Sequence, residues 1–230
     1  MGRMFAGKVF YGVLWNTATY GAVLFLTAGT LDWWRAWVLV ALIAVGTIAT
    51  MLLVFRTRPD LLRERRRGLV QRGQPLADRV LVIAFLVAYA GSLIFTVKDV
   101  FKYHLLPVPG LWVSSAGMGL VVVGWLVISL VFRENSFAAP VVKHQQKRGH
   151  KVVDTGVYRF VRHPMYAGIF LLNVGMALWL ESYAGAIAAL VPIGILAARI
   201  VYEERFLQAN LAGYGDYAER VRWRLVPFVW

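Results

Sequence analysis

The stretch LWVSSAGMGLVVVGWLVISLVF, residues 111–132, contains no charged side chain. A helix needs roughly 20 consecutive apolar residues to cross the hydrocarbon core of a bilayer, and this stretch meets that length. Similar apolar stretches lie at residues 9–31, 36–55, 80–101, 165–180 and 183–202. The sequence therefore predicts an all-α, polytopic integral membrane protein with about six transmembrane segments. The last two segments are shorter or interrupted by glycine and by Pro192, and we expect them to form a tight helical hairpin.

The amino-acid composition agrees with this assignment. Hydrophobic residues make up 59% of the 230 residues and charged residues 16%, with a mean hydropathy of +0.61. These values are more apolar than those of a soluble domain of this length. Cysteine is absent and the four histidines are scattered. The sequence therefore excludes disulfides and thiolate metal sites, and it predicts no metal site.

The formal net charge of +13 would suggest a nucleic-acid partner in a soluble protein. Here the basic residues concentrate in two loops, while the alternate loops carry little more than Arg35 and Lys102. The first basic loop, 56–79, holds Arg56, Arg58, Arg63, Arg65, Arg66, Arg67, Arg72 and Arg79, and the second holds Arg133, Lys143, Lys147, Arg148, Lys151, Arg159 and Arg162. The positive-inside rule then places both loops and both termini in the cytoplasm. The expected surroundings are a bilayer, most simply a bacterial inner membrane, and not nucleic acid.

Three glycines within the fourth segment, Gly117, Gly119 and Gly124, superficially match a dinucleotide-binding fingerprint. That fingerprint needs a strand before it and a helix that begins at it, whereas these glycines lie inside a membrane helix. Small residues in membrane helices allow two backbones to approach closely. We therefore predict that the glycines pack against a neighbouring helix, and that no Rossmann-type cofactor domain is present.

Within the first basic loop, residues 56–75 combine the sequence PDLL with a run of arginines. A short interfacial helix capped by Asp60 fits this pattern. A solvated run of charges fits it equally well. Both interpretations stay open on the sequence alone.

The chain turns polar between residues 133 and 162, directly before the motif RHPMYAG at residues 162–168. A loop this long in a compact membrane protein is usually functional. Pro164 suits the first turn of a helix, whose free N–H groups can receive an anionic group. Tyr158 and Tyr166 provide aromatic faces for a cation or an adenine ring. The sequence thus predicts a ligand site where this loop meets the fifth segment.

Arg199 and Glu203, at the end of the sixth segment, are four residues apart and share one face of a helix. Ionisable groups at the edge of a membrane span are candidates for a functional role. The alternative is an ordinary ion pair just outside the bilayer, with Arg199 extended to the interface. Sequence physics leaves these two interpretations open.

At these positions the chain resembles the isoprenylcysteine carboxyl methyltransferases, and bacterial members more closely than animal or yeast ones. The resemblance covers residues 133–230 and has three parts in order: the run 149–158, the motif at 162–168, and a C-terminal pattern. That pattern reads EERFL at 203–207 followed by GYGDYAERV at 213–221. The phospholipid N-methyltransferases share a similar pattern.

The resemblance implies S-adenosyl-L-methionine as cofactor, held in a cytoplasm-facing pocket, and a lipid or prenylated substrate. Carried over residue by residue, the cofactor site would comprise Gln145, His150, Val152, Val153, Tyr158, His163 and Tyr166, with Glu203 or Glu204 near the cofactor's amino group. Arg162 and Arg199 would orient a substrate carboxylate. Glu203 or Glu204 would accept the proton if the nucleophile were an amine.

The resemblance thus predicts a membrane enzyme that methylates the carboxylate of an isoprenylcysteine-like or other amphiphilic lipid. Methylation of a lipid amine or small thiol on the same scaffold is an alternative, as is a transporter or assembly factor without the chemistry. Residues 1–132 would form a four-segment transmembrane region, and residues 133–230 the methyltransferase region.

Overall fold

The computed structural model describes residues 2–71, 73–143, 145 and 148–230, so Arg72 and Lys147 of the charge pattern lie outside the described residues. The described residues form helices and connecting loops without strands. The helices are α1 (Gly2–Ala28), α2 (Trp34–Thr50), α3 (Pro59–Arg65), α4 (Leu76–Lys98), α5 (Leu111–Glu134), α6 (Pro164–Trp179), α7 (Tyr183–Ala188), α8 (Leu190–Asn210) and α9 (Tyr214–Arg220). α2 and α4 each continue into a π-helical turn, at Met51–Phe55 and Asp99–Tyr103.

Five helical segments of the described residues are long and apolar enough to cross a bilayer: Phe5–Ala28, Trp34–Phe55, Leu76–Tyr103, Leu111–Glu134 and Tyr183–Asn210. The predicted all-α, polytopic membrane fold is confirmed. α6 is also apolar but has 16 residues, a length of about 24 Å at the α-helical rise per residue. The described residues therefore contain five segments of membrane-spanning length and one shorter apolar helix, compared with the six segments predicted.

Helices α5 and α6 pack with their backbones in contact, as the glycine pattern predicts. A Cβ atom added at Gly124 would lie 2.6 Å from the Gly168 carbonyl oxygen, and one at Gly117 would lie 2.7 Å from the Trp179 nitrogen. A Cβ atom added at Gly175 would likewise lie 2.7 Å from the Gly117 carbonyl oxygen. This antiparallel seam carries the N-terminus of α6 to the polar end of α5, where the second basic loop begins.

We expect Gly124→Val to prevent α5 and α6 from packing, because rigid backbone atoms occupy the space that the new side chain needs. Overpacking of this kind costs about 1–3 kcal/mol or more. Gly119→Val is the matched control on the same helix, since a Cβ there meets nothing within 4 Å. Thermal unfolding and gel filtration of the purified variants check this. Equal melting temperatures for the two would contradict the seam.

The second arm of the C-terminal hairpin packs elsewhere. α8 runs antiparallel to α6 but lies mainly along α4, while α6 lies mainly along α5. The turn between the arms is fixed by Ser182, whose hydroxyl donates to Asp99 Oδ2 at 2.6 Å and accepts from the Gly185 N–H at 2.7 Å. The polar ends of the two arms, at residues 162–166 and 203–204, lie together.

The first basic loop does contain a short helix, α3. It begins at Pro59, with Arg58 as N-cap residue and no side-chain cap, so the expectation that Asp60 caps it is wrong. Asp60 is already helical and therefore cannot occupy the N-cap position. Leu61 and Leu62 are buried in an apolar cluster with Phe132, Ala138 and Tyr158. This packing fixes α3 beneath the polar loop that follows α5.

Candidate active site

A cleft of about 810 Å³, counted with the solvent at its mouth, lies where the polar loop meets the ends of α6, α8 and α9. Its lining includes the sequence-predicted residues Gln145, His150, Val152, Val153, Tyr158, Arg162, His163, Tyr166 and Glu203. Glu204 and Arg199 lie behind the lining. The structure thus gathers into one cleft residues that are as much as 58 positions apart, from Gln145 to Glu203.

Glu203 and Tyr166 form the polar wall of the cleft. The Tyr166 hydroxyl donates to Glu203 Oε2 at 2.6 Å and accepts a hydrogen bond from Arg199 Nη1. Arg199 and Glu203 therefore meet through the tyrosine, and the i,i+4 ion pair considered from the sequence is not what the structure forms. The His163 ring lies parallel to the Tyr166 ring, with centroids 5.5 Å apart. This arrangement holds the Glu203 carboxylate at the cleft.

Glu204, the next residue of α8, is buried outside the cleft lining. Its Oε1 accepts from Arg162 Nε at 2.6 Å and lies 3.2 Å from His163 Nε2, and its Oε2 accepts from Arg224 Nε at 2.8 Å. A carboxylate with these partners has little capacity left for a ligand. Glu203, and not Glu204, is therefore the glutamate that faces the cleft.

Arg162 connects this cluster to the C-terminal tail. Its Nη1 donates to the carbonyl oxygens of Ala218, Val221 and Arg222, at 3.2, 2.6 and 3.0 Å. Its backbone N–H also donates to the Trp223 carbonyl at 2.9 Å. These contacts tie the tail across the end of α6. The resemblance predicts that Arg162 orients a substrate carboxylate. Its contacts in the structure suit it instead to holding the tail.

Arg199 forms a buried ion pair with Asp78 of α4. Nε donates to Asp78 Oδ1 at 2.8 Å, and Nη2 donates to the Pro140 carbonyl at 3.0 Å. Asp78 Oδ2 accepts from the Val142 N–H at 2.9 Å, and the Asp78 side chain has no exposed surface. Arg199 and Asp78 thereby clamp the loop at 140–142 between α4 and α8. Arg199 is better described as a positioning residue than as a contact for substrate.

We expect Arg199→Ala to lower stability as well as activity, because it leaves Asp78 buried without its cationic partner. Removing one member of a buried pair typically costs about 3–5 kcal/mol. Arg199→Met with Asp78→Leu should recover part of this loss in thermal unfolding. A single variant as stable as the wild type would contradict the clamp.

Two tyrosines outside the spans close the cleft. The Tyr158 hydroxyl accepts from Asn135 Nδ2 at 2.9 Å, and the Tyr217 hydroxyl donates to the Tyr158 carbonyl at 3.0 Å. Burial raises the pKa of both hydroxyls above the ordinary value. Both therefore stay neutral at physiological pH, and Tyr158 keeps its own proton for donation.

Three comparisons with known proteins bear on this cleft. A family model described as phospholipid methyltransferase matches residues 112–213. Protein-S-isoprenylcysteine O-methyltransferase B of Arabidopsis thaliana is 31% identical over 163 residues, which cover 66% of this chain and 81% of that protein. The chain belongs to the protein-S-isoprenylcysteine O-methyltransferase family. It is therefore an integral membrane methyltransferase.

A second relative and a solved structure agree with this assignment. Protein-S-isoprenylcysteine O-methyltransferase A of Arabidopsis thaliana is 36% identical over 129 residues, 53% of this chain and 64% of that protein. The solved structure of a eukaryotic intramembrane Ras methyltransferase, isoprenylcysteine carboxyl methyltransferase, aligns with a TM-score of 0.55 at 19% identity. It covers 92% of this chain and 75% of that one. At this identity the structural likeness shows the shared fold.

The side chains that line the cleft fit the cofactor that this methyltransferase family implies. S-adenosyl-L-methionine carries an ammonium group, a sulfonium cation and an aromatic base. A carboxylate at Glu203 suits the first, and the aromatic faces of Tyr158 and Tyr166 suit the other two. Val152 and Val153 add apolar surface at the lining.

Arg65 is a residue that the sequence reasoning did not single out as part of the site. Its Nη1 donates to the Ala138 carbonyl at 3.0 Å and lies 4.0 Å from Met165 Sδ, and its guanidinium lies 4.3 Å from the Phe132 ring centroid. Ala138 and Met165 line the cleft. Among the described residues, no carboxylate lies within 4.0 Å of the Arg65 guanidinium.

The environment of Arg65 is unusual for an arginine. Burial lowers its pKa to about 10, even though the nearby tyrosines act in the other direction. A signal for its position was present in the sequence PDLLRER, because Leu61 and Leu62 are four and three residues before it and so share its helix face. With the two leucines buried, Arg65 is half-buried on the same face of the helix.

Proposed function

We propose that this protein transfers the methyl group of S-adenosyl-L-methionine to a carboxylate of an amphiphilic substrate, most directly a prenyl-thioether such as isoprenylcysteine. Two features support this function, one in the lining of the cleft and one beside it. Glu203 provides a carboxylate in the lining for a cationic cofactor. Arg65, which contacts the lining residues Ala138 and Met165, provides a half-buried cation for an anionic substrate. The names of the most similar relatives agree with this chemistry.

The cofactor's ammonium group would be held by Glu203, which the Tyr166 hydroxyl orients. Tyr158, Tyr166 and His150 would pack against the base and the sulfonium, and Gln145, Val152 and Val153 would complete the wall. Glu204, Arg162 and His163 would hold the C-terminal tail and so keep the cleft closed on one side. Bound S-adenosyl-L-methionine would supply a methyl group activated by its positive sulfur.

A carboxylate acceptor needs no general base, because its nucleophilic oxygen is already ionised. The chain then has to bring that oxygen close to the methyl group and remove its water. Arg65 suits this task because it presents a positive charge in a half-buried setting beside the cleft, where charge pairs are stronger than in water. An amine acceptor would be positively charged at neutral pH and would be repelled by the same group.

The lipid part of the substrate would reach the cleft from the bilayer, since the cleft opens at the ends of membrane helices. We place the cleft, both basic loops and both termini in the cytoplasm, from the distribution of Arg and Lys. A bacterial inner membrane fits this orientation. Residues 1–132 would then serve as the membrane scaffold and residues 133–230 as the catalytic region, with Arg65 contributed by the scaffold.

Methyl transfer from radiolabelled cofactor to S-farnesylcysteine tests the proposal. We expect label that is released by mild base, because a methyl ester is hydrolysed under conditions that a methylated amine survives. Phosphatidylethanolamine and a small alkyl thiol, offered in parallel, should accept little label. Base-stable label in the amine lipid, or label on the thiol, would instead support the alternative functions on this scaffold.

A further inference from the structure

The surface between α2 and α5 carries an apolar groove that faces the bilayer. Gly46, Ala49 and Leu53 of the α2 segment form one side, and Trp125, Leu126 and Leu130 of α5 form the other. The Trp125 indole lies directly against Gly46, and its Nε1 donates to Thr50 Oγ1 at 3.0 Å. The polar atoms at the groove floor are thus largely paired, and its walls suit a hydrocarbon chain.

The cytoplasmic end of this groove leads into a basic cleft. Arg133 lines the groove, and Arg58 Nη2 donates to the Arg133 carbonyl at 2.8 Å. Arg58 also lines the adjoining cleft, together with Arg148 and Ser136. The apolar groove therefore ends at Arg133, which is hydrogen-bonded to an arginine of the basic cleft.

The charges of this basic cleft are only partly neutralised within the chain. Arg63 and Arg67 each have a carboxylate partner, Asp60 at 2.8 Å and Glu64 at 3.1 Å. Among the described residues, Arg58, Arg133 and Arg148 have no carboxylate within 4.0 Å. Arg58 and Arg148 donate to neutral acceptors, the carbonyls of Arg133 and Ser136 and the Gln145 amide oxygen, so their charges are not neutralised. With Arg133 at the groove, these groups match the chemistry of an anionic phospholipid: a phosphate head and an acyl chain.

We propose that the groove between α2 and α5 and the adjoining arginines Arg58, Arg133 and Arg148 bind one anionic phospholipid. The acyl chain lies along Ala49 and Leu53, and the phosphate meets the arginines. This site is separate from the methyl-transfer cleft and does not depend on the proposed function. The two adjoin at Phe137, which lines both, with the Arg148 guanidinium 5.6 Å from its ring centroid.

Native mass spectrometry of lipids that stay bound tests this site. The protein is reconstituted in bilayers of phosphatidylglycerol and phosphatidylcholine in equal amounts, and these two lipids are the probes. We expect the wild type to retain one phospholipid, with roughly a tenfold preference for phosphatidylglycerol. Arg58→Gln with Arg133→Gln should remove the preference. Arg159→Gln with Arg205→Gln, two exposed arginines outside the groove, is the matched control and should keep it.

A second variant tests the groove independently of charge. Ala49→Trp places a large ring in the chain channel, so retention of both lipids should fall at least severalfold. Gel filtration and binding of S-adenosylhomocysteine show whether each variant is folded. A wild type without head-group preference, or an Ala49→Trp variant that retains lipid normally, would overturn the proposal.

Two further arms identify other occupants. Inorganic phosphate that displaces phosphatidylglycerol and stabilises the lipid-free protein to the same degree would show a simple anion site and overturn the lipid site. Displacement by S-farnesylcysteine, one molecule for each lipid, would show that the groove belongs to the substrate and would overturn it as well. Persistence of the lipid in both arms supports the proposal.

Discussion

Glu203→Ala is expected to weaken binding of S-adenosylhomocysteine by on the order of 30- to 100-fold, the effect of losing a charge-assisted hydrogen bond in a half-enclosed cleft. The ammonium group of the ligand would lose its carboxylate, and the Tyr166 hydroxyl would lose its acceptor at 2.6 Å. Calorimetric titration measures the change. Melting temperature should change little, because Glu203 lies at the cleft surface and Glu204 holds the tail.

Glu219→Ala is the control for this experiment. Glu219 is an exposed glutamate of α9, so its removal should leave the affinity at the wild-type value. An unchanged affinity in Glu203→Ala, or an equal loss in both variants, would remove Glu203 from the cofactor site.

Arg65→Met is expected to lower turnover on a prenyl-thioether carboxylate by on the order of 1000-fold, about 4 kcal/mol of transition-state stabilisation, while cofactor affinity is retained. Burial lowers the pKa of Arg65 to about 10, so its charged form is disfavoured by the fold. Methionine removes that unfavourable charge and keeps much of the volume. Stability should therefore stay level or rise while activity falls.

Arg63→Met is the matched control. Arg63 lies on the same short helix but is exposed and pairs with Asp60, and such surface pairs contribute little to stability. It should keep wild-type turnover. If Arg65→Met lost cofactor affinity in the same proportion as turnover, Arg65 would act on the cofactor or the fold and not on the substrate.

The membrane fold was largely predictable from the sequence, because hydrophobic length and charge placement act locally along the chain. The glycine seam illustrates this: Gly117 and Gly124 pack against α6 as expected, whereas Gly119 faces open space. Which partner each helix packs against was not predictable, since α6 and α8 are neighbours in sequence but lie mainly on α5 and α4. Partner choice depends on shape along whole helices.

The structure brings most of the residues named from the sequence to one cleft, and their roles there stay predictions. The sequence could not separate Glu203 from Glu204, because helix geometry fixes only the angle between adjacent residues, whereas packing decides which of them faces the cleft. It also gave Arg162 and Arg199 to the substrate, whereas the structure occupies both with buried acceptors. Arg65 was not identified because, in a run of arginines, the sequence does not distinguish the side chain that packs inward from its exposed neighbours.

We propose that the cleft between the polar loop and the ends of α6 and α8 holds the methyl donor. Calorimetric titration of purified protein with S-adenosylhomocysteine measures this binding, with Val153→Trp to fill the cleft and Val70→Trp as an exposed control. We predict one equivalent bound by the wild type and by Val70→Trp, and none by Val153→Trp. No binding by the wild type, or undiminished binding by Val153→Trp, would contradict the claim.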